Sequence, residues 1–69
     1  MNVILVLVLC LVGSPDRCET IRPPEWPAHT SLQECGMFGQ HFAAEWLRLH
    51  PNYAAYRLRS WRCEAGEQA

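Results

Sequence analysis

The sequence predicts a small α+β domain: one amphipathic helix packed on a two-stranded sheet in β-α-β order, stapled by a disulfide and preceded by a signal-like apolar segment. Three observations predict it. Apolar residues recur three or four positions apart from Leu32 to Leu49, behind a helix-capping signal. The stretch Tyr56 to Cys63 alternates, carries aromatic groups and contains neither Gly nor Pro. Four cysteines occur in 69 residues, a length whose core alone supplies only a few kcal/mol.

The chain opens on Val3 to Val12, VILVLVLCLV, an uninterrupted apolar run ended by Gly13-Ser14-Pro15 and then Asp16-Arg17. As a helix this run would rise only about 15 Å, half of a ~30 Å hydrocarbon core. The length fits the apolar region of a secretory signal peptide, although no Lys or Arg precedes it. The ranking is an export signal first, a short uncleaved anchor second and a buried apolar strand third. The expected organisation is a signal peptide at 1–14, an exported domain at 15–66 and a frayed tail at 67–69. The mature chain then begins between Gly13 and Cys18, and its expected location is periplasmic or secreted.

Residues 18–22 alternate weakly and suit a short strand. Pro23-Pro24-Glu25-Trp26-Pro27 follows as a stiff, extended connector with Trp26 packed beneath it. Ser31-Leu32-Gln33-Glu34 has capping-box spacing and opens the helix. At 100° per residue, Leu32, Cys35, Phe38, Phe42, Trp46 and Leu49 share one arc and are the expected core face. Gly36, Gly39 and Ala43 run along an edge of that arc. Two glycines inside a helix cost about 0.5–1 kcal/mol each relative to Ala, which close approach of another backbone would explain. The helix must stop at His50-Pro51, because the residue before a proline disfavours the α region. Asn52 to Ala55 form the turn into the second strand.

The formal charge of −1, from six basic and seven acidic residues, argues against a disordered tail and against phosphate-driven binding, so no nucleic-acid partner is expected. Cys-x-x-Cys is absent, removing the strongest redox and zinc signature. His41 and Glu45 lie one turn apart on the polar helix face, but two ligands do not make a metal site. Cys35 and His50 lie about 22 Å apart along a helix and cannot form a nucleophile pair. No catalysis, metal or cofactor is expected.

The run Glu34-Cys35-Gly36-Met37-Phe38-Gly39-Gln40, with Glu45-Trp46, His50-Pro51-Asn52, Trp61-Arg62-Cys63 and an upstream Cys18, resembles short exported proteins of alphaproteobacteria. The resemblance implies a small exported domain and no particular chemistry. The chain departs from that pattern at Gly36 and around Tyr53-Ala54-Ala55.

With the signal removed, Cys18, Cys35 and Cys63 remain. The helix climbs about 22 Å from Cys35 to His50 and the strand returns about 23 Å from Tyr56 to Cys63, which brings Cys63 level with Cys35. Cys35–Cys63 is therefore favoured over Cys18–Cys63, with Cys18 free or joining two chains in a dimer. On the last strand, Arg57, Arg59 and Trp61 fall on one face, with Tyr56, Leu58 and Ser60 on the other. The expected binding surface is this Arg57-Arg59-Trp61 ladder, whose guanidinium groups suit carboxylate or phosphate, or alternatively form a solvated face. All six basic residues are Arg, a bias that a GC-rich genome also produces. The leading functional reading is a non-catalytic extracytoplasmic module that binds an unknown protein or anionic partner. The alternative is a small accessory subunit that retains its apolar N-terminus and touches a membrane only through it.

Overall fold

The structure, a computed structural model, describes residues 3–27 and 29–65. The elements follow in the order β1 (Val3–Leu11), β2 (Cys18–Ile21), α1 (Leu32–Leu49), a short 3-10 turn (Pro51–Tyr53) and β3 (Tyr56–Ala65). The sheet has three antiparallel strands in the order β2-β1-β3, with α1 against one face. The expected frayed tail at 67–69 lies outside the described residues.

The two-stranded sheet is thus corrected to three strands, and the third is the segment assigned to export. β1 is the central strand, with β2 on one side and β3 on the other. Val3, Leu5, Leu7 and Leu9 face α1 and form the floor of the core. The even-numbered residues take the opposite face, where Val6 is also fully buried. A strand covered on both faces has no polar positions to alternate, so it reads as a continuous apolar run. Among the described residues no helix crosses the outer face. Arg22, just beyond β2, pairs with Glu64 of β3 at 3.7 Å, and that ion pair bridges β1 on the outer side. Arg62, the register partner of Val6, bonds Glu64 at 2.7 Å.

The β1–β2 hairpin explains the fourth cysteine. Cys10 and Cys18 are register partners and are disulfide-bonded, S–S 2.06 Å. Cys18 is therefore neither free nor left to join another chain, and an odd count arises only if Cys10 is discarded with a signal. Cys35 and Cys63 are bonded to each other, where the rise of α1 and the return of β3 meet. No described cysteine is free.

Both ends of α1 follow local chemistry. Ser31 Oγ accepts from the Glu34 N–H at 3.0 Å, and Glu34 Oε1 accepts from the Ser31 N–H at 3.0 Å. His50 ends the helix ahead of Pro51 and returns its own N–H to Leu47 O. The buried stripe, however, is Cys35, Gly39, Ala43 and Trp46. Leu32, Phe38 and Leu49, expected in the core, are more than half exposed. The helix is rotated toward its small-residue edge because a large ring comes from the sheet. Trp61 lies against Gly39, where a Cβ would stand 2.6 Å from Cζ3 of the indole. What approaches Gly39 is a side chain and not a backbone, and around Gly36 there is open space.

The proline arm closes the core from the side. Trp26 donates its indole N–H to Val3 O at 2.9 Å and meets Phe42 edge to face. Trp46 donates to Glu25 Oε1 at 3.0 Å and stacks on His50, with ring centroids 3.9 Å apart. Tyr53 and Tyr56 continue this aromatic line toward β2, where both hydroxyls donate to Glu19.

Candidate functional site

The site begins with an irregularity in β3. Val8 pairs with Ser60 and Leu9 with Leu58, so Arg59 is an extra residue in the ladder, a β-bulge. A bulge reverses the alternation of every residue beyond it. Tyr56 and Leu58 pack toward the core before it, and Trp61 and Cys63 do so after it. The ladder of Arg57, Arg59 and Trp61 is consequently divided. Trp61 lies in the helix–sheet interface against Gly39, whereas Arg57 and Arg59 are exposed.

Arg57 and Arg59 are brought together at the rim of an open hollow of about 570 Å³. Its floor is Cys10, Leu11, Val12 and Pro15, the end of β1 and the hairpin loop. The Cys10–Cys18 bond and the Leu11 N–H to Arg17 O hydrogen bond fix that loop. Val12 N–H donates to Ala55 O at 2.9 Å, tying the loop to the start of β3. Arg59 Nη1 reaches to within 3.9 Å of Cys18 Sγ. Sequence reasoning singled out the two arginines but missed the floor, since it discarded Cys10 and Val12 with the signal. The available signal was the pair of cysteines flanking Gly13-Ser14-Pro15-Asp16.

The arginines are unevenly paired. Arg48 is held by Glu45, and Arg22 and Arg62 by Glu64. These bonds keep the carboxyls of Glu45 and Glu64 below the ordinary glutamate range, through Arg48 and Arg62 respectively. The Glu25 carboxyl is lowered as well, first by a backbone hydrogen bond and then by the Trp46 indole. Glu19 is engaged by Tyr56, whose hydroxyl is shifted up chiefly by that bond. Arg17, Arg57 and Arg59 have no ion-pair partner among the described residues, and of these Arg57 and Arg59 share the rim of the hollow.

A second concavity lies on the helix side. Trp26, Phe38 and Phe42 wall a groove of about 420 Å³ between the proline arm and α1, with His29, His41, Glu34 and Glu45 at its margin. Helical periodicity places Phe38 in the core and His41 and Glu45 on a solvated face, and it gives no hint of this groove. Its signal was a Trp within a proline run together with two Phe one helical turn apart. Among the described residues, no group of three or more His, Cys, Asp or Glu side chains is placed to hold a metal ion. No helix among them is long and apolar enough to cross a membrane. No family model, no curated protein and no solved structure matches this chain.

Proposed function

We propose that this chain is a non-catalytic, disulfide-stapled interaction domain of an extracytoplasmic compartment, periplasmic or secreted, that binds an acidic protein partner through Arg57 and Arg59. The observation that carries this reading is the pair of exposed guanidinium groups that border one hollow without an ion pair among the described residues, while Arg22, Arg48 and Arg62 are neutralised by glutamates. A guanidinium takes a carboxylate through two parallel N–H bonds, and two on one rim favour a surface rich in Asp and Glu. The floor of Leu11, Val12 and Pro15 adds apolar contact beside those charges. Two disulfides are compatible with an oxidising location and support the compartment assigned here.

Titration with a poly-glutamate peptide tests the reading. The parent binds at low salt, and binding weakens steeply toward about 1 M salt, where the Debye length is ~3 Å. Arg57→Glu with Arg59→Glu removes binding while leaving the unfolding midpoint in place. Binding that survives both the salt and the double substitution would overturn the assignment.

A further inference from the structure

The helix-side groove has walls of one kind and margins of another. Trp26 and Phe42 meet at 89° with centroids 4.9 Å apart, so two aromatic walls form a corner. Phe38, one turn before Phe42 on α1, supplies a third and is half exposed. The indole is anchored through its N–H on Val3 O, which fixes the corner. Among the described residues no Arg or Lys lines the groove, whereas Glu34 and Glu45 do, with His29 and His41 beside them. Glu34 accepts from the Ser31 N–H through Oε1, and Glu45 accepts both Arg48 bonds through Oε1. Glu45 is thus ion-paired with Arg48, whereas Glu34 has no ion pair among the described residues.

Aromatic faces carry negative electrostatic potential, and a corner of rings beside carboxylates attracts a cation that is apolar at its surface. We propose that this groove binds a quaternary ammonium group carried by a small soluble molecule of the choline type. Its methyl shell matches the aromatic walls, and its diffuse charge is weakly hydrated, so entry forfeits little solvation. A phosphate attached to the same group would lie against the carboxylate of Glu34, which no cation neutralises among the described residues. That repulsion selects a soluble choline-like compound over a phosphocholine lipid headgroup. The site is independent of the arginine hollow, with which it shares no lining residue.

The test follows the Trp26 indole N–H resonance of the full chain during titration. Three ligands are compared: choline, its uncharged isostere 3,3-dimethylbutan-1-ol, and phosphatidylcholine vesicles. Choline is expected to shift the resonance saturably and to bind about tenfold tighter than the isostere. Phe38→Leu keeps the apolar bulk and removes the ring, and it should weaken choline about threefold to fivefold. Equal binding of the isostere would overturn the proposal by reducing the site to an apolar groove, and so would the absence of a choline shift. A shift produced by the vesicles and not by choline would overturn the choice of a soluble ligand. The comparison of choline with its isostere uses only the parent chain, so it holds even if the variant folds poorly.

Discussion

Gly36 and Gly39 lie one turn apart on α1 and should respond to alanine in opposite directions. A Cβ on Gly36 meets nothing within 4 Å, so Gly36→Ala changes only backbone freedom. That substitution should stabilise the domain by about 0.5–1 kcal/mol. At Gly39 the same gain is opposed. The new Cβ would stand 2.6 and 2.9 Å from Trp61 Cζ3 and Cε3, and 3.2 Å from Leu5 Cδ1. Carbon atoms settle at about 3.5–4.0 Å, so the indole must withdraw by roughly 1 Å. Leu5 is fully buried, and the indole of Trp61 is a planar ring that can withdraw only as a unit, two residues from the Cys35–Cys63 bond. Overpacking of this kind costs about 1–3 kcal/mol, leaving Gly39→Ala destabilised by about 0.5–2 kcal/mol net. Urea unfolding of the oxidised proteins, followed by helix circular dichroism, measures both. The m-value should be unchanged, and the two midpoints should fall on opposite sides of the parent. If Gly39→Ala is as stable as Gly36→Ala, the contact between Trp61 and the helix is not what set the helix face.

Three other outcomes follow from the same architecture. A chain lacking residues 1–14 loses β1, including fully buried Leu5, Val6, Leu7 and Leu9, worth about 6–12 kcal/mol together. It should show no cooperative unfolding transition, and a sharp one would restore the export assignment. Replacing Cys10 and Cys18 by Ser should cost roughly 2.5 kcal/mol for a closure of separation 8. Replacing Cys35 and Cys63 by Ala should cost roughly 3.5 kcal/mol for separation 28, and the reverse ranking would contradict the chain-entropy argument. Finally, the carboxyls of Glu25, Glu45 and Glu64 have lowered folded-state pKa values. Groups shifted in that direction add stability above their unfolded pKa and lose it as pH falls through the folded one. Unfolding midpoints should therefore hold at neutral pH and decline below the ordinary glutamate range. Glu25→Gln should flatten that decline, and an unchanged slope would remove Glu25 from the account.

What could be read from the residues was what is decided locally. The start of α1 follows from the reciprocal bonds of Ser31 and Glu34, and its end from Pro51. Both lie within a few residues of the boundary they set. The β3 strand was legible for the same reason, through its aromatic alternation. The face of α1 was not, because hydrophobicity places Phe38 and Leu49 inside, while the space was already filled by Trp61 from another element. The candidate site shows the same division. Arg57 and Arg59 were visible as a pair of cations, but their separation from Trp61 depends on a bulge that forms only where β3 pairs with β1.

The apolar segment shows how one ambiguity spreads through a small chain. Periodicity carries no information over Val3–Leu11, because a strand buried on both faces and a signal peptide are both continuously apolar. Pairing capacity does distinguish them. β3 is ten residues long and β2 only four, so a sheet of those two alone leaves most β3 backbone donors and acceptors without partners. A nine-residue strand between them satisfies both, and β1 pairs with β3 along nearly its whole length. Cysteine parity points the same way. Cys10 within the run and Cys18 just beyond a Gly-Ser-Pro turn stand as opposite members of one hairpin, and their bond requires the run to be part of the fold. The odd thiol and the two-stranded sheet were both consequences of removing residues 1–14. Restoring that strand resolves both and gives the arginine hollow its floor.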